Sequence, residues 1–168
     1  MMRKLLCLYS LMVGLFLVLC TEVECPLDSV VVMTCGLYDA DTKAELSFQP
    51  TLTVKPSGKD TVLLNAAQNI HDFVLPLKFG ENADTMLLCF TDEWELSRVD
   101  TLVLNHENMP HFESVECPAT VFHKLTSVAW MTDKNGACDI EIVSVAIVRN
   151  LVDYNDVENI QIYLRSSH

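Results

Sequence analysis

From Ser29 onward the apolar residues come in short runs rich in β-branched side chains, and turn signals cut these runs before a helix of useful length can form. The clearest breaks are Pro56-Ser57-Gly58-Lys59, Phe79-Gly80-Glu81-Asn82 and Asp133-Lys134-Asn135-Gly136. The punctuation predicts ten strands, at 29–38, 46–54, 60–65, 71–79, 84–91, 98–106, 111–116, 121–131, 138–149 and 159–165. Many short strands with no helical partner imply an all-β fold, an antiparallel β-sandwich that is immunoglobulin-like or related.

Alternation supports this reading. Ile140, Ile142, Val145 and Ile147, and further on Ile160, Ile162 and Leu164, set one apolar face against polar or small neighbours. The runs 62–64 and 86–90 are apolar on consecutive positions, as expected of central strands covered on both sides. The best helical candidate, Ala66-Ala67-Gln68-Asn69-Ile70, spans about one turn and has no helical periodicity. An Asp-Thr pair opens three of the apolar runs, at Asp60-Thr61, Asp84-Thr85 and Asp100-Thr101. Their unequal spacing rules out a tandem repeat, so they read as strand starts in which Asp fixes the turn and Thr begins the pleat.

Ahead of this region, Arg3 and Lys4 precede a nearly unbroken apolar run from Leu5 to Cys20. That is the n-region and h-region of a signal segment. Sixteen residues from Leu5 to Cys20 make about 24 Å of helix, short of the roughly 30 Å hydrocarbon core of a bilayer. Residues 1–20 are therefore expected to direct export, leaving 21–168 as a single domain large enough to bury its own core. The run ends on Leu17-Val18-Leu19-Cys20, which is similar to the lipobox of bacterial lipoproteins and makes Cys20 the candidate lipidation site, although Leu19 stands where that motif prefers Gly, Ala or Ser. Ordinary cleavage after Cys20 or Thr21 and an uncleaved anchor are the alternatives. The expected location is the periplasm or an outer-membrane anchorage, with membrane contact only through a lipid or the leader.

The chain carries a net charge of −12. Removing residues 1–19 takes away only Arg3 and Lys4 and leaves nine basic residues against 23 acidic ones, a net of −14. Such a surface repels phosphate backbones and anionic headgroups, which argues against nucleic acid as a partner.

Of seven cysteines, Cys7 lies within the leader. No Cys-x-x-Cys pair suggests a zinc ribbon or a thioredoxin-type site, so structural disulfides are the expected use. The pairings expected are Cys25 with Cys117, then Cys35 with Cys89. The second pairing is the weaker, since buried free cysteines also pack as small hydrophobes, and Cys138 is given no partner.

The segment from His111 to His123, with its core Glu113-Ser114-Val115-Glu116-Cys117-Pro118, lies between the Asp-Thr strand at 100–104 and the stretch Asn155 to Leu164. Together with Cys25-Pro26-Leu27 it resembles an uncharacterised family of small cell-envelope proteins, usually lipoproteins, from Bacteroidetes. The resemblance covers roughly residues 20–165. It implies export and a β-sandwich-like domain, and it brings no catalytic residues to transfer.

No nucleophile elbow, Ser-x-x-Lys, His-Glu-x-x-His or Gly-rich phosphate loop occurs, so no catalytic residue, cofactor or metal is assigned. His106, His111 and His123 lie near Glu107, Glu113 and Glu116, but their spacing matches no metal motif; His106 and His111 flank the turn-like Asn108-Met109-Pro110, where a loop histidine bonded to a backbone carbonyl is the expectation. The acidic stretches Asp39-Ala40-Asp41 and Asp153 to Glu158 lack the EF-hand pattern and read as turns. Trp94, flanked by Glu93 and Glu95, is the candidate carbohydrate or peptide contact, with Trp130 second, and core or rim packing is the alternative for both. The function expected is a non-enzymatic interaction module binding another envelope protein through a sheet edge or an exposed face. A carbohydrate- or calcium-binding accessory domain is the alternative, for which a groove lined by Trp94 or by converging carboxylates would speak, and an uncharacterised enzyme is the second alternative.

Overall fold

The computed structural model describes residues 31–46, 49–115 and 117–166. Among them there is no helix, and ten strands form two sheets. One sheet holds β1 (Met33–Asp39), β4 (Asp72–Leu75), β8 (Ile140–Ile147) and β10 (Glu158–Ser166), in the order β4-β1-β10-β8. The other holds β2 (Thr51–Pro56), β3 (Leu64–Ala67), β5 (Ala83–Thr91), β6 (Ser97–His111), β7 (Thr120–Met131) and β9 (Leu151–Val152), in the order β3-β2-β5-β6-β7-β9. Each sheet turns one face to a shared core that includes Met33, Cys35, Leu37, Leu52, Phe90, Leu104, Ile160 and Ile162. The fold is an all-β sandwich. Its pairings are antiparallel except that β1 and β10 run parallel.

Inward positions alternate as the sequence requires. β5 points Asp84, Met86, Leu88 and Phe90 inward, and β6 does the same with Asp100, Leu102, Leu104 and His106. The outward residues of β5, Leu87 and Cys89, are half-buried, not covered on both sides as the consecutive apolar run suggested. Val62, expected to be buried, is exposed.

Bulges reset the alternation, two of them at polar positions that matter here. In β7 the pairing jumps from Ser127 opposite Asn105 to Leu125 opposite His106, so Thr126 is the extra residue and both His123 and Leu125 return to the core side. In β10 the extra residue is Asn159, whose buried amide fills the gap. Its Oδ1 accepts from Thr34 N at 3.1 Å, and its Nδ2 donates to Arg149 O and Leu151 O. One side chain thereby joins β1, β10 and the approach to β9.

Several expectations need correction. The stretch 111–116 is not a strand of its own, because β6 runs unbroken to His111 and includes the supposed turn Asn108-Met109-Pro110. Proline is tolerated there because β5 pairs with β6 only as far as Asn105, so the end of β6 is an edge on that side. The Asp-Thr pairs are not equivalent either. Asp60 is exposed in a turn, whereas Asp84 and Asp100 are buried within strands. Asp100 accepts from Asp133 N and Ile142 N, both at 2.9 Å, and so ties β6 of one sheet to β8 of the other. Burial pushes the Asp100 carboxyl above its usual range despite these two donors, so the tie specifies how the sheets meet more than it adds stability.

Cys35 and Cys89 do not pair: both are free thiols, as is Cys138. Cys35 faces the core from one sheet while Cys89 faces outward from the other, which no disulfide geometry can span. Cys117 is not a free thiol. Cys25, its expected partner, lies outside the described residues, as do Cys20 and the leader.

Candidate functional site

Polar side chains gather at both ends of the β5–β6 hairpin, about 25 Å apart at the usual rise per residue. The end near the loop 78–82 is closed. Asp84 Oδ2 accepts from Lys78 N at 2.9 Å and lies 3.1 Å from His106 Nε2. Asn108, directly opposite His123 across β6 and β7, donates through Nδ2 to Phe79 O and Glu81 O. This fixes its amide, so Oδ1 receives Nδ1–H from His106 at 3.0 Å and from His123 at 2.7 Å. With Nδ1 of His106 donating, its Nε2 can meet Asp84 only across a shared proton, as imidazolium and carboxylate or as imidazole and carboxylic acid.

Both rings are fully shielded from solvent. Burial, with His106 alongside, lowers the pKa of His123 to about 4, and Asp84 only partly opposes this. His123 is therefore neutral and its Nε2 is a buried acceptor with no partner among the described residues. Phe79 stacks on His123 at 6.3 Å between ring centroids. His106, read from sequence as flanking a turn and bonded to a carbonyl, thus lies within β6 and bonds side chains, and His123, in a strand as expected, joins it. The reason is the bulge at Thr126, invisible in the sequence, which turns His123 inward. His111 lies apart, stacked on Phe122 and 3.0 Å from Glu113. Among the described residues no three His, Cys, Asp or Glu side chains converge to hold a metal ion.

The acidic stretches are engaged in their own turns. Asp39 Oδ1 accepts from Asp41 N, Thr42 N and Thr42 Oγ1, and these bonds hold its carboxyl below the usual range. Asp153 pairs with Arg149 and caps Asn155, and Glu158 bonds Tyr38 and Gln161. They are not arranged to enclose a calcium ion.

The other end of the hairpin is open. Asp92 closes the β5–β6 turn: its N donates to Leu96 O, and its Oδ1 accepts from Trp94 N and Leu96 N, each at 2.9 Å. Glu95 takes a left-handed backbone, φ 62°, which for a non-glycine residue stores about 1 kcal/mol. The tight turn stands Trp94 up at the tip, 59% exposed. Beside it lies a groove of about 400 Å³ bordered by Trp94, Asp92, Glu93, Asp139, Gln49 and Gln68. Asp139 reaches it because Arg98 grips the preceding loop, donating to Gly136 O and Ile140 O, while Ala137 N bonds Ser97 O. Arg98 packs so closely over Gly136 that a Cβ there would collide with it.

Of the residues singled out by sequence, Trp94 alone enters this groove. Trp130 instead packs half-buried against the core. Asp139, Gln49 and Gln68 were missed, since each belongs to a different loop and none carries a motif. The groove offers aromatic stacking, amide hydrogen bonding and negative charge.

Residues 51–164 match the model of a family of unknown function, DUF6452. No curated protein and no solved structure matches the chain.

Proposed function

We propose that this chain, which belongs to the DUF6452 family of unknown function, is a non-enzymatic binding module of the cell envelope whose ligand sits in the groove beside Trp94. The observation that carries the reading is the pairing of a mostly exposed Trp with a concave polar surface, on a turn stiffened by Asp92. Exposed tryptophan on a rigid element is a favoured binding anchor. The other polar clusters described above are engaged in hydrogen bonds of their own. The envelope setting rests on the leader at 1–20, and tethering rests on acylation of Cys20. A partner protein is the favoured ligand. Carbohydrate is the second reading, favoured by Gln49 and Gln68 beside the indole.

Crosslinking in the producing cells tests the reading. The full chain is expected to yield a discrete adduct that Trp94→Ala abolishes at equal abundance. An adduct unchanged by Trp94→Ala places the binding surface elsewhere. Intact mass tests the tether: a diacylglycerol-sized increment on a chain beginning at Cys20 supports it, and a chain beginning at Thr21 or Glu22 overturns it.

A further inference from the structure

Resting on the reading of the groove as a binding site, we infer that its ligand is a basic protein segment, with a Lys or Arg side chain laid across the indole of Trp94. Three carboxylates border the groove, those of Asp92, Glu93 and Asp139, and no Lys, Arg or His does. Arg98, which bonds the backbone of the groove residue Ile140, is largely buried behind the start of β8, where it also pairs with Glu141. It therefore leaves the groove's field negative.

A cation over an indole face gains from the ring quadrupole, and more so where the site also excludes water. A neutral ligand could use the stacking and donate hydroxyl or amide protons to the amides and carboxylates, but only a cation also gains from the groove's net negative charge. The whole domain adds to the attraction, since its net charge is −14 once residues 1–19 are removed. General attraction alone does not select a location. The groove does, because there the charge surrounds an exposed aromatic ring held on a rigid turn. A single long side chain fits the measured space with room for its backbone neighbours.

Calorimetric titration of the purified exported chain decides between the possibilities. The probes are a blocked octapeptide of alternating Lys and Gly, its norleucine counterpart, and a neutral oligosaccharide of glucose or N-acetylglucosamine. The lysine peptide is expected to bind at least about tenfold more tightly than the norleucine peptide. Trp94→Ala is expected to weaken it about tenfold and Asp139→Asn about threefold to fivefold, as cation–π and single-charge contacts imply. Trp94→Phe should restore part of the loss. Glu107→Gln, which removes an exposed charge from the far part of β6, should leave the affinity within about twofold.

Equal losses for Glu107→Gln and Asp139→Asn overturn the inference in favour of diffuse attraction. Equal binding of the norleucine peptide also overturns it. Oligosaccharide binding that depends on Trp94, without lysine-peptide binding, overturns the basic-segment inference yet leaves the groove reading standing. Failure of every probe, with a cellular adduct indifferent to Trp94→Ala, removes both.

Discussion

The two ends of the β5–β6 hairpin use the same side chains to opposite ends. At one, Asp84, His106 and His123 sink into the sandwich, and with half-buried Asn108 they bond one another and the 78–82 loop. At the other, Asp92 spends its carboxylate on a turn that lifts Trp94 into solvent above a groove. The histidine-rich end looks more like chemistry in sequence, yet its groups are buried and, apart from His123 Nε2, engaged with each other and with the 78–82 loop. The end with one exposed ring and scattered polar residues keeps its surface available. Titratable residues mark a site only when their bonding capacity faces outward.

This contrast leads to ordered expectations. Asn108→Ala should act most strongly, because it leaves two imidazole N–H groups and two loop carbonyls without their partner. A loss of about 3 kcal/mol in denaturant unfolding is expected, with the groove's affinity unaltered. Acid comes next. The folded state holds His123 neutral at a pKa of about 4, while the unfolded chain takes up a proton near 6.5. Stability is therefore intact above about pH 6.5 and falls by about 3 kcal/mol as the pH drops toward 4, a window that His123→Phe should flatten.

Asp100→Ala follows, since it strips Asp133 N and Ile142 N of their acceptor. Unfolding should register about 2 kcal/mol, moderated because removing a desolvated carboxylate recovers part of the loss. At the open end, Trp94→Ala should move stability by less than about 0.5 kcal/mol while weakening peptide binding about tenfold. A thermal midpoint that falls as far as for Asn108→Ala would make Trp94 a packing residue and dissolve the contrast.

The sandwich was legible because its signals are local: β-branched runs, alternation at Ile140–Ile147 and turns rich in Gly, Asn and Pro. What escaped were features set by pairing between distant strands. The bulge at Thr126 decides which way His123 points, and nothing near residue 126 announces it. The loss of β5 as a partner beyond Asn105 is what lets Pro110 sit inside a strand. Cys35 and Cys89 were matched because both lie in apolar runs, but the face of a strand and the sheet it joins decide whether two sulfurs meet. Trp94 stood out as a Trp between two glutamates. Its groove companions did not, because Gln49, Gln68 and Asp139 come together only when three loops meet at one end of the sheets.

The most direct test of the contrast places a photoreactive side chain at Glu93, beside the groove, and separately at Phe79, exposed at the histidine end. Irradiated in the producing cells, the chain carrying it at position 93 should form a discrete adduct and the chain carrying it at position 79 should not. An adduct from position 79 with none from 93 would contradict the account.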